Sequence, residues 1–111
     1  MFMKGSIEVL GRYAGPATWI LSSLAGGPKH GYALINDIEE FAGVRLQPGT
    51  LYGALTRLAE GGLIEATGDE GRRRPYLLTG DGAAALQEHL AIQRRVADLG
   101  LRRLSARLAT S

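Results

Sequence analysis

A chain of 111 residues, 45% hydrophobic and 22% charged, has room for one core and one appended element, which excludes a two-domain enzyme. The absence of cysteine excludes disulfides, thiolate chemistry and cysteine-ligated zinc or iron–sulfur sites, and His30 and His89 lack the spacing of a metal pair. The formal charge of +2 hides an asymmetry: residues 1–71 are net −3, whereas residues 72–111, with eight arginines, are net +5, which fits either a polyanionic partner or a solvated basic helix face.

The start, MFMKGSIEVLGRY, has no continuous apolar run after a basic opening, so a signal peptide is not expected. The longest uncharged stretch, from Tyr13 to Pro28, is interrupted by glycine and proline and is too short to span a bilayer. A cytoplasmic protein without membrane contact is expected.

Pro16 suits the first turn of a helix, and Gly26-Gly27-Pro28 ends the run ATWILSSLA. This first helix is apolar on most sides and should be largely buried. A second helix is expected over His30–Ala42, with Tyr32, Ile35, Ile38 and Ala42 at helical spacing, Leu34 widening the stripe, and Gly43 as the stop. A third begins near Pro48 and runs to Glu60. Leu51, Leu55 and Leu58 form its core stripe, and Gly49, Gly53, Thr56, Arg57 and Glu60 occupy the opposite face. Thr50 and Tyr52 flank that face, and Gly61-Gly62 ends the helix.

Leu63–Thr67 alternates as a half-buried strand, Gly68–Gly71 is turn-like, and Pro75–Thr79 reads as the returning strand. Between them stand Arg72, Arg73 and Arg74. Three adjacent like charges repel one another and add nothing to folding, whereas a phosphate backbone would neutralise them. Asp81–Ala109 is a long helix capped by Thr79 or Asp81. It carries two apolar series, Leu86, Leu90, Ala97, Leu101, Leu104 and Leu108, and Ile92, Val96 and Leu99. Two stripes imply two contacts, one with its own domain and one with a second copy. Gly100 is a position where such a helix could bend or break.

This order of elements gives a mainly α fold with a small β-hairpin: a winged helix-turn-helix followed by a long C-terminal helix. Residues 1–15 are expected as an N-terminal arm or short helix, 16–79 as the DNA-binding domain and 80–111 as the dimerisation helix. In such a layout the third helix enters the major groove and the hairpin follows the backbone. The expected double-stranded DNA surface comprises Tyr32, Gln47, Gly49, Thr50, Tyr52, Thr56, Arg57, Arg72, Arg73 and Arg74. The expected homodimer seam comprises Leu86, Leu90, Val96, Leu101, Leu104 and Leu108. Trp19 reads first as a core residue of the first helix; the alternative, a place in an apolar effector pocket at the dimer interface, makes it the candidate ligand-facing residue.

Gly80-Asp81-Gly82-Ala83-Ala84-Ala85 fits a dinucleotide-binding pattern, but no second strand can follow it. It therefore reads as a glycine-rich helix entry. No nucleophile elbow, paired carboxylates or Walker sequence is present, so neither catalysis nor a cofactor or metal is expected. The alternative to DNA binding is a winged-helix module that docks on another protein, favoured by the acidic first part.

His30-Gly31-Tyr32, Pro48-Gly49-Thr50-Leu51-Tyr52, Ala54-Leu55, Arg57-Leu58, Gly62-Leu63-Ile64, Gly71-Arg72, Tyr76 and Leu78-Thr79 together resemble the PadR family of transcriptional regulators. The resemblance runs from about Ile20 to Leu86. It implies a dimeric winged-helix repressor, dimerised through a single C-terminal helix, whose DNA affinity often responds to a small-molecule effector. The chain departs from the family pattern at Gly53, where proline is frequent, and at Leu77, where a basic residue usually follows the wing tyrosine. The wing is one residue shorter, and Lys4-Gly5-Ser6 lies farther from His30 than usual.

Overall fold

Pro16 lies in the first turn of α1 (Ala14–Leu24), where a missing N–H breaks no helical hydrogen bond. The computed structural model describes Ile7, residues 14–68 and residues 74–110. Ala17, Ile20, Leu21 and Leu24 of α1 are buried, as is Ile7. α2 (Gly31–Ala42) stops at Gly43, whose φ of 73° places it in the left-handed region and lets its N–H return to the Glu39 carbonyl. The buried arc of α2 is Leu34, Ile35 and Ile38. Tyr32, expected in the apolar stripe, is 68% exposed, because Leu34 shifts that arc away from it.

α3 (Pro48–Glu60) buries Leu51, Ala54, Leu55 and Leu58. Its end is a left-handed stop at Gly62 (φ 77°), after which the Leu63 N–H bonds back to the Leu58 carbonyl. Each expected strand is shorter by one residue at both ends, Leu63 being held by that bond and Thr79 serving as a helix cap. β1 (Ile64–Ala66) pairs antiparallel with β2 (Tyr76–Leu78), in the register Ile64↔Leu78, Glu65↔Leu77 and Ala66↔Tyr76. The main chains of Lys29 and Tyr76 exchange two further hydrogen bonds, which fasten the segment before α2 to the wing.

α4 (Gly80–Ala109) is one 30-residue helix, unbroken at Gly100. Of the two candidate caps, Thr79 is the one used: its hydroxyl oxygen accepts from the Gly82 N–H at 3.0 Å. The same hydroxyl donates to the Gly62 carbonyl at 2.7 Å, so the cap also docks α4 on the end of α3. Gly82 and Leu86 are buried. Leu86, expected in the dimer seam, therefore belongs to the core of its own domain. From residue 91 to residue 110 every position is exposed, so the last two-thirds of α4 projects from the domain.

Candidate nucleic-acid interface

The two faces of α3 separate cleanly. Opposite its buried leucines it exposes Gly49, Thr50, Tyr52, Thr56, Arg57 and Glu60. Gln47 precedes the helix in extended conformation and makes no side-chain cap, so its exposed amide stands beside the first turn. That turn has no acidic residue. The N–H groups of Gly49 and Thr50 and the positive end of the helix dipole thus open outward, a site suited to phosphate. The Thr56 hydroxyl donates to the Tyr52 carbonyl at 2.9 Å, leaving its oxygen lone pairs and methyl group for a partner. Arg57 has a side chain 61% exposed and stands 4.0 Å from Glu60, a loose pair that leaves the guanidinium available.

Tyr52 also explains why glycine precedes Tyr32. A Cβ at Gly31 would meet the Tyr52 hydroxyl oxygen at 2.5 Å and its ring Cζ at 3.0 Å. The aromatic side chain of α3 thus lies over the start of α2. Tyr32 and Tyr52 are both exposed on this side. The motifs HGY and PGTLY, distant in sequence, meet in one surface.

The wing stands beside it. The Thr67 N–H and hydroxyl both donate to the Pro75 carbonyl, at 2.8 and 2.9 Å, continuing the pairing beyond the strands. Arg74 is exposed at the root of the tip, while Arg72 and Arg73 lie outside the described residues. Arg45, in the turn between α2 and α3, was not among the expected site residues. It donates to Glu39 at 2.7 Å and to Asn36 at 3.3 Å, and the Glu39 carboxylate raises its pKa above the ordinary value.

Trp19 is partly buried against the core. A separate open groove of about 730 Å³ runs between α4, Ala25 and Leu78, with Leu86 and Leu90 on its apolar side and Arg94 and Arg95 on its rim. Trp19 does not line it. No helix among the described residues is long and apolar enough to cross a membrane.

A helix-turn-helix with an exposed, acid-free helix start and an adjoining two-stranded wing defines a DNA-binding regulator of the winged-helix class. The family description "Transcriptional regulator PadR-like family" matches residues 20–88. The chain belongs to this family of transcriptional regulators. It is similar to a PadR-family transcriptional regulator from Eggerthella lenta, at 31% identity over 87% of this chain and 88% of that one, with a TM-score of 0.69. It is also similar to a PadR-like transcription factor from Bacteroides fragilis, at 26% identity over 86% and 96% of the two chains, with a TM-score of 0.73. A further relative, an uncharacterized 37.1 kDa protein in transposon TN4556 of Streptomyces fradiae, is 47% identical over 68 residues, 61% of this chain. The chain spans 20% of that relative's length.

Proposed function

We propose that the protein is a homodimeric repressor that places two copies of α3 in successive major grooves of a near-palindromic operator. The observation that carries this reading is the face of α3 from Gln47 to Arg57. Small residues at Gly49 and Gly53 let the helix axis approach the groove floor, and Thr56 and Arg57 reach for base edges or phosphates. Half-sites about one helical turn apart match the two-fold axis of such a dimer. Occupying a promoter would suffice for repression in the cytoplasm. An effector would act by changing the angle between the winged domains, and so the spacing of the two α3 helices.

Within α4, the line of Leu90, Ala97, Leu101, Leu104 and Leu108 continues the direction of the buried Leu86. Its last three leucines follow a three–four spacing, the spacing of a paired-helix seam. We assign the dimer contact to this line, with Val96 on the neighbouring stripe beside Ile92 and Leu99.

Selection of bound fragments from random DNA, repeated at rising salt, tests the reading. A palindrome should emerge, and affinity should fall on the order of 10³-fold between 50 and 200 mM salt for a dimer with six or more phosphate contacts. A flat salt response would instead favour the protein-docking alternative, for which the net acidic helix-turn-helix is the supporting observation.

Two substitutions divide positioning from readout. Replacing Arg72, Arg73 and Arg74 together by alanine should weaken binding to all sequences alike and flatten the salt dependence. A wild-type slope in filter-binding titrations would remove the wing from the interface. Thr56→Ala or Arg57→Ala should instead change affinity or preference at particular base pairs by roughly 1–3 kcal/mol. Unchanged footprints and an unchanged selected sequence would take those residues off the bases.

A further inference from the structure

Between residues 14 and 68 the chain has three basic side chains, Lys29, Arg45 and Arg57, against five acidic ones. Lys29 is committed to the fold. Its ammonium donates to the Ser23 carbonyl at 2.5 Å and stands 4.0 Å from Asp37, while the Ser23 hydroxyl donates to the same carboxylate. Arg57 lies on α3. Arg45 is different: its ion pair with Glu39 is 2.7 Å long, yet the two side chains are 49% and 48% exposed.

The position of that pair matters more than its strength. Tyr32, Asn36 and Glu39 share one outer stripe of α2 at four- and three-residue steps, and the Arg45 side chain crosses it. Arg45 also stands two residues before Gln47, at the start of α3. Its main chain thus adjoins the start of α3, while its guanidinium lies across the outer stripe of α2 that carries Tyr32. An exposed ion pair of this kind is screened and contributes little to folding. A DNA phosphate offers an arginine equivalent oxygen acceptors within a much stronger negative field.

We propose that Arg45 is a phosphate-binding residue held in reserve by Glu39, exchanging that carboxylate for a phosphate when the complex forms. In the free protein the pair keeps the cation on that stripe and masks it from other anions. On DNA the exchange adds one phosphate contact per protomer, supplied by the one cationic side chain between α2 and α3. This inference rests on the DNA-binding reading above.

The test is a double-mutant cycle with Arg45→Met and Glu39→Gln, read by fluorescence anisotropy on a labelled duplex from the random-DNA selection over a salt series. Arg45→Met should weaken binding and reduce the slope of log K against log salt by about 1 per protomer, about 2 for a dimer. Glu39→Gln should tighten binding about three- to tenfold, an effect that largely disappears when Arg45 is also replaced. Arg45→Lys should restore most of the slope, which distinguishes a phosphate contact from a shape requirement of the turn. A wild-type slope in Arg45→Met, or weaker binding by Glu39→Gln, would overturn the exchange and leave Arg45 as a clamp on the turn. An equal gain from Glu39→Gln in both backgrounds would overturn it too, since Glu39 would then act only by repelling DNA. If the unmodified protein shows no salt-dependent binding to duplex DNA, the DNA reading itself fails, a result separable from the others because it appears before any substitution.

Discussion

Gly82→Ala should destabilise the fold by about 3 kcal/mol or more, the upper end of what overpacking costs. A Cβ at this position would overlap the Leu63 carbonyl oxygen and lie 2.8 Å from Leu78 Cδ1 and 2.9 Å from the Leu63 carbonyl carbon. The obstacle is mostly main chain, and that main chain is held. The Leu63 carbonyl accepts from the Thr79 N–H, and the Thr79 hydroxyl donates to the Gly62 carbonyl. Neither side can withdraw without releasing the α4 cap and the first turn of the helix together. Urea denaturation should show a lower midpoint, and the melting temperature should fall by roughly 10–20 °C for a domain of this size. Gly100→Ala supplies the internal contrast. It lies in the same helix with nothing within 4 Å of an added Cβ. There alanine should stabilise the helix by about 1 kcal/mol through propensity alone. A neutral Gly82→Ala would mean that α4 does not pack so closely on the end of α3.

The contrast between these two glycines shows what periodicity can and cannot convey. All four helices and both strands are legible from apolar spacing and from glycine or proline stops, because each of those signals acts on neighbouring residues. Gly80-Asp81-Gly82 also announces a helix start. Its reason is not legible there, since the atom that forbids a side chain at Gly82 belongs to Leu63. Tyr32 misleads for a related cause. Its spacing suits the apolar stripe, but the placement of α2 against α1 centres the buried arc on Leu34, Ile35 and Ile38. The Gly31–Tyr52 approach and the Arg45–Glu39 pair depend on how α2 meets α3. The residue list carries them only as motifs of unexplained spacing, or as charges of opposite sign six positions apart.

Deleting everything after Leu90 should convert the proposed dimer to a monomer while leaving the winged domain folded. The cut falls where burial ends: Gly82 and Leu86 remain to cover the core, and no residue from 91 to 110 is buried. What is removed is a helical rod of about 28 Å, at 1.5 Å per residue over residues 91–109. It exposes Val96, Leu101 and Leu104 at 65%, 64% and 56%. A lone helix of that length is marginal in water and usually acquires its stability by burying an apolar face against another element. The nearest element of its own chain is left behind at the groove beside Leu90, so a second copy is the natural cover. Light scattering should report about two-fifths of the full dimer's mass, 90 residues against 222, with circular dichroism retaining the helices of the winged domain. DNA affinity should fall by about 10²–10⁴-fold, because two tethered half-site contacts become two independent ones. The salt slope should roughly halve, since each complex then carries one protomer's phosphate contacts. A truncated protein that remains dimeric would place the interface on the winged domain and leave the leucines of α4 to another partner. One that becomes monomeric yet binds the operator undiminished would show that the two half-sites are not read together. Leu101→Asp with Leu104→Asp in the full chain provides the complementary arm. It keeps the helix and removes only the seam, so dissociation there attributes the dimer to that stripe rather than to the length of α4.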